Sequence, residues 1–313
     1  MSSSRSSSPL YDAPGPRAKR HNALFTVLFL VAVAVLIWWV AQSLADKNQL
    51  EWAKWRPFFT DSGAWETYLL PGLKNTLIAA SLAMAIALPL GALFGIARLS
   101  EHRWVRGVAG TVVEFFRAIP VLILMLFANA AYFEFTDVSP DRRPLYAVVT
   151  GLVLYNASVL AEIVRAGILS LPQGQSDAAK AIGMRKNQVM RYVLLPQSVT
   201  AMLPAIVSQL VVIVKDTALG GALLGFSELL ASVRPMSANY GANTIASFTV
   251  VAVIFVILNF ALTSFASWLE ARLRRGKRST GAVVGANAVE ELATPGEHVS
   301  HNDLGRGDGA SGK

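Results

Sequence analysis

The sequence predicts an all-α integral membrane protein of about six transmembrane helices. Of its 313 residues, 53% are hydrophobic and only 15% charged, whereas soluble domains carry about 25% charged residues. The apolar residues gather into runs of the length that crosses a hydrocarbon core, about 20 residues. The charges crowd into the termini and a few connecting stretches. Mean hydropathy is +0.46 and there is no cysteine, which excludes a disulfide framework, a thiolate metal site and a cysteine nucleophile. The net charge of +8 flanks the apolar runs. That placement fits membrane orientation and not nucleic-acid binding.

Residues 1–22 are Ser-, Pro- and Arg-rich and read as a disordered, basic cytoplasmic tail. Residues 23–44 form the first apolar run. It is longer than the 7–15-residue core of a signal peptide, so it reads as an uncleaved anchor. Residues 45–72 hold Trp52, Trp55 and Trp65 and read as an external segment on the membrane interface, where tryptophan is enriched. Residues 73–270 form the transmembrane domain, with spans expected at about 74–97, 108–133, 145–169, 199–219 and 243–269. Pro89 and Pro204 are expected to bend their spans. Gly91 with Gly95, and Gly221 with Gly225, form GxxxG patterns expected to pack helices closely within the chain. Residues 271–313 read as a basic, then disordered, cytoplasmic tail. With the amino end inside, 20 of the 28 Lys and Arg fall on the inner side. This bias places both termini, and the polar loop 170–196, in the cytoplasm.

That loop is the most patterned part of the chain. Ser176 is a candidate helix cap, and Asp177-Ala178-Ala179 and Ile182 follow it. Gly183 fits a helix carboxyl end, Asn187 is a candidate second cap, and Pro196 is expected to separate a second short helix from the fifth span. Loops beyond ~12–15 residues are usually functional. Asp177-Ala178-Ala179, three residues, Gly183, nine residues, then Val193-Leu194-Leu195-Pro196 resembles the EAA loop of ABC-importer permeases, with Asp for Glu and Val for Ile. Ala161-Glu162-Ile163-Val164-Arg165-Ala166-Gly167, Lys215-Asp216-Thr217, Lys74-Asn75-Thr76 and Arg117-Ala118-Ile119-Pro120 narrow the resemblance. They are similar to the permeases of polar amino-acid importers, the histidine, arginine, glutamine, glutamate and opine group, over about residues 70–270. The added first span and serine-rich head are most like the glutamate-importer permeases of actinobacteria.

The resemblance implies a type I importer core and a coupling loop made of Asp177, Ala178, Ala179, Gly183, Leu195 and Pro196. It implies a cytoplasmic ATPase dimer, a second, paralogous permease, an external binding protein and alternating access within a bacterial cell membrane. The chain itself is then not an enzyme and binds no cofactor, because ATP and Mg are used by the ATPase. The expected substrate is an amino acid, glutamate first. Glutamine, arginine or histidine import and a stand-alone ion-coupled transporter are the alternatives.

Ionisable groups at membrane depth cost several kcal/mol unless paired or watered. Glu162 with Arg165, and Glu114 with Arg117, are three apart on a helix and read as structural ion pairs. Lys215 and Asp216, toward the outer end of the fifth span, are candidates for the substrate path. Ser208 shares a face with Lys215, and Gln209 shares one with Asp216; Asn156 joins them from the fourth span. Other motifs fail. The phosphate-loop-like run 307–313 lacks its Ser/Thr, strand and helix, the tripeptide Arg306-Gly307-Asp308 sits in the tail, and His298 and His301 have no companion ligands.

Overall fold

The computed structural model describes residues 15–278. The expectations for residues 1–14, the tail beyond Arg278, the run 307–313, and His298 and His301 lie outside the described residues. Twelve α-helices and two π-helical turns follow one another among these residues: α1 (Pro16–Asp46), α2 (Trp52–Trp55), α3 (Pro57–Thr60), π1 (Ala64–Leu69), α4 (Leu70–Ala97), α5 (Arg103–Ala118), α6 (Val121–Phe135), α7 (Arg143–Leu169), α8 (Gln173–Ala181), α9 (Lys186–Gln188), π2 (Val189–Leu194), α10 (Leu195–Leu224), α11 (Val233–Asn239) and α12 (Thr244–Arg278). Five helices are long and apolar enough to cross a membrane, or six if the bent pair α5–α6 counts as one span.

The first helix begins at Pro16, seven residues before the expected span. Proline suits the first helical turn because its missing N–H has no acceptor there. At 31 residues the helix is ~46 Å long, so its basic first turns reach beyond a ~30 Å hydrocarbon core. No α1 side chain is buried.

The bundle is built around α7, which packs against α4, α6, α10 and α5, while α12 covers α10. Ala79, Ala83, Met125, Val148, Leu152, Ile213 and Val214 form the main core. Gly91 and Gly95 do what their spacing predicts. A Cβ on Gly91 would lie 2.5 Å from Leu160 Cβ, and one on Gly95 would lie 2.7 Å from Ala161 O, so only glycine lets α4 meet α7. The second GxxxG pattern is not a packing motif. Gly221 makes room for the Glu228 carboxylate, and Gly225 ends α10 in the left-handed region at φ +70°. Pro89 and Pro204 lie inside α4 and α10, which continue through them.

The expected third span at 108–133 is wrong as a straight helix. Ile119 and Pro120 are extended, and α5 meets α6 at 98°. Proline disfavours the helical region for the residue before it, and α5 itself is amphipathic. The expected break at Pro196 is also absent. The proline sits in the first turn of α10, where its missing N–H is tolerated, and helix runs continuously from Lys186 to Leu224 through π2.

Residues 45–72 are stitched to the connection between α10 and α12. Gln49 Nε2 donates to Ala242 O at 3.1 Å, Asn243 Nδ2 donates to Lys54 O at 3.0 Å, and Lys54 Nζ donates to Gly241 O. Tyr240 OH donates to Asp61 Oδ2 at 2.6 Å. Phe58, Leu69, Leu229, Val233 and Met236 form an apolar core beneath these bonds. Trp55 and Trp65 bond carbonyls of their own segment, and Trp52 stacks on Phe59.

Candidate coupling loop and substrate path

α8 starts directly after Pro172, so Ser176 lies inside the helix and caps nothing. Its carboxyl end matches the expectation. Gly183 has φ +84°, its N–H donates to Lys180 O at 2.9 Å, and Met184 N–H donates to Ala179 O at 3.1 Å. This pair of bonds satisfies two end carbonyls, and the left-handed residue between them favours glycine. Asn187 is likewise not a cap, because α9 begins after Arg185.

The loop divides into a buried and an exposed side. Ala179 is buried as α8 packs on π2, where Val189 is also buried. Asp177 and Ala178 face outward, and Ile182, an apolar side chain with no cover, is 81% exposed. Asp177 pairs weakly with Lys180 at 3.5 Å. Leu195 joins Met190 and Leu194 against a core of Val164, Ile168 and Met202. The exposed face of α8 is thereby footed on α7 and α10. Lys186 Nζ meets Glu101 Oε1 at 3.1 Å, tying α9 to the α4–α5 connection.

The two ion pairs read separately from the sequence are one network, and sequence reasoning missed its third arginine. Glu162 Oε1 accepts from Arg165 Nη2 at 2.8 Å, and its Oε2 lies 2.9 Å from Arg98 Nη1 and 3.8 Å from Arg117 Nη1. Arg98 also reaches Glu114 at 3.1 Å, and Arg117 lies 3.5 Å from Glu114. The five charges join α4, α5 and α7 at one end of the bundle. Arg98 stands three residues after the helix-packing Gly95, just past the end of α4. That position was a signal that its head group lies at the α7 contact.

The candidate path residues divide. Asn156 and Gln209 are buried and bonded to each other, Gln209 Nε2 donating to Asn156 Oδ1, while Asn156 Nδ2 donates to Leu152 O at 2.7 Å. They clamp α7 to α10. Ser208 and Lys215 are exposed on α10, Ser208 donating to Pro204 O at 3.0 Å. Asp216 is half-buried.

Sequence reasoning also missed Glu228. Its side chain is buried between α10 and α11, and its carboxylate accepts from Leu230 N–H and Ala231 N–H, both at 2.7 Å. Burial pushes the Glu228 carboxyl up, and the two amides pull the other way. Thr76 Oγ1 accepts from Leu229 N–H at 3.1 Å, and Asn75 donates to Ser227 O at 2.7 Å. Asn75 and Thr76 of the Lys74-Asn75-Thr76 motif therefore hold the connection after α10 in place. An acid directly before the turn at 229–232 was the available signal for Glu228.

Residues 87–275 match the family of binding-protein-dependent transport system inner membrane components. The chain is 46% identical over 234 residues to the glutamate transport system permease protein GluD of Corynebacterium glutamicum, covering 75% of this chain and 85% of the relative. It is 27% identical to the arginine transport system permease protein ArgU of the same species, over 85% of this chain and 86% of that one. An amino acid ABC transporter crystallised with histidines shares the fold at TM-score 0.59 and 26% identity, over 65% of this chain and 92% of that chain. The MetNI methionine transporter in an inward-facing form matches at TM-score 0.54 and 24% identity, over 68% of this chain and 99% of that one, which bears on the fold alone. Helices long and apolar enough to cross a membrane and these likenesses converge: the chain belongs to the family of binding-protein-dependent transport system inner membrane components, the multi-pass permease components of ABC importers.

Proposed function

We propose that this chain passes glutamate across a bacterial cell membrane as half of a permease pair, completed by a second, paralogous permease. An external binding protein delivers the substrate, and two ATPase subunits on the inner side drive alternating access. ATP and Mg belong to those subunits, and this chain binds no cofactor. Both termini lie in the cytoplasm. The observation that carries this reading is the outward face of α8, Asp177, Ala178 and Ile182, held rigid by the Gly183 cap and footed on α7 and α10. An exposed isoleucine over small residues suits a rigid partner groove, and movement of α8 passes directly to two spans. The 46% identity to a glutamate permease supports the substrate. Lys215, Asp216 and Ser208 are the path residues available to an amino acid. Asn156 and Gln209 open to it only when α7 and α10 part.

The test is radiolabelled glutamate uptake in proteoliposomes holding this chain, its permease partner, the ATPase and the binding protein. ATP-dependent uptake that is lost in Asp177→Arg and Gly183→Asp supports the whole reading. Uptake without ATP supports an ion-driven carrier. ATPase activity stimulated by glutamine, arginine or histidine and not by glutamate replaces only the substrate.

A further inference from the structure

Two cavities meet beside the coupling segment. One, of about 470 Å³, lies between α4 and α5 and is lined by Leu93, Phe94, Ala97, Trp104, Val105 and Val108. The other, of about 460 Å³, shares Leu93, Ala97 and Val105, and adds His102, Arg185 and Lys186. Together they form one groove with an apolar floor and a basic rim. Trp104 is 87% exposed, and Val108 and Phe115 extend the same apolar stripe along α5. Arg103, Arg106 and Arg117 lie on the opposite side of that helix.

We propose that this groove binds an anionic phospholipid, with an acyl chain along Trp104, Val105 and Val108 and its phosphate at Arg185 and Lys186. Three observations select a lipid. First, α5 turns 98° away from the apolar helix α6 and carries Trp104 and Val108 on one side and Arg103, Arg106 and Arg117 on the other, the pattern of a helix that settles along a membrane surface. Second, the groove changes from apolar to basic along its length, as a phospholipid changes from chain to head group. Third, Arg185 and Lys186 outweigh Glu101 at the rim, leaving one net positive charge for a phosphate, and the positive end of the α5 dipole opens at the same rim. The site borders α9 and the α4–α5 connection, so a bound lipid wedges between the coupling segment and the first core span.

The test is native mass spectrometry of the full chain, equilibrated with equimolar dioleoyl-phosphatidylglycerol and dioleoyl-phosphatidylcholine, which differ only in the head group. Phosphatidylglycerol is expected to be retained preferentially. Arg185→Gln with Lys186→Gln lowers that preference by fivefold or more, about 1 kcal/mol for a basic group at an anionic surface. Val105→Trp fills the junction of the two cavities and lowers retention of both lipids. Val105 is 47% exposed, so this change leaves the core intact. Arg234→Gln, on the connection after α10, leaves both unchanged. Equal retention of the two lipids, an unaltered preference in the double variant, the same loss from Arg234→Gln, or expulsion of the lipid when the ATPase or a second permease binds would each overturn the proposal. None of these outcomes depends on which amino acid is carried.

Discussion

The contact between α4 and α7 makes a differential prediction. In Gly91→Ala the new methyl group would stand 2.5 Å from Leu160 Cβ and 3.0 Å from Ala157 O. Carbon atoms prefer about 3.5–4.0 Å, so the two helices must separate by about 1 Å locally, and such a gap forfeits a quarter to a half of each dispersion well along the seam. Overpacking of this kind costs about 1–3 kcal/mol. The same substitution gains about 1 kcal/mol of helix propensity. Gly107→Ala supplies that gain alone, because nothing lies within 4 Å of its added Cβ and α5 is equally helical there. The propensity term cancels between the two variants, leaving Gly91→Ala less stable than Gly107→Ala by about 1–3 kcal/mol. At about 2–4 °C per kcal/mol for a chain of this size, the gap is about 2–12 °C. Thermal scans of both detergent-solubilised variants at one scan rate measure it. A Gly91→Ala protein melting at or above Gly107→Ala would refute the reasoning that α4 and α7 meet through glycine.

Three further outcomes are expected. The Tyr240 hydroxyl is pushed up to about 12 by the hydrogen bond to Asp61, while that bond and the Gly63 amide hold Asp61 below its usual 3.8. The folded state therefore favours deprotonated Asp61 and protonated Tyr240. Their stabilisation is complete between pH 3.8 and pH 10.0, and is lost as acid protonates Asp61 below that window or as rising pH passes about 12; an absorbance titration in which Tyr240→Phe removes a tyrosine titrating near 10 would contradict this. Glu162→Ala strips a partner from three arginines, one of them only 15% exposed. It should destabilise by about 2 kcal/mol, between the values for exposed and buried pairs, with Glu162→Gln recovering part; equal melting of wild type and Glu162→Ala would count against a shared network. Ile182→Asp should cut ATP-driven uptake at least tenfold without lowering the melting temperature, since the side chain is 81% exposed; normal uptake would remove Ile182 from the docking face.

What was legible in the sequence followed from lipid acting as a uniform solvent. Each span announces itself by length, and Gly183 announces a left-handed turn because few other residues occupy one cheaply. The bend at Pro120 was written locally, in the proline and in the arginine-studded face of α5, but the apolar residues on either side of it merged into a single hydropathy run. Arg98, Glu162 and Glu114 come from three helices, and Asn156 meets Gln209 across two, so their partnerships exist only after packing. Short-range rules also misplaced both caps. Ser176 and Asn187 have suitable side chains, yet Pro172 and the Schellman turn at Gly183 set where the helices begin and end.

The stitching of residues 45–72 to the connection before α12 has a consequence in time. Gln49 and its acceptor Ala242 are 193 residues apart, and a ribosome adds about 5–20 residues per second. Residues 45–72 therefore emerge without these partners and wait about 10–40 s for the connection before α12 to be made. During that interval the segment is held between two apolar helices, α1 before it and α4 after it, so both its ends are fixed before its partner exists.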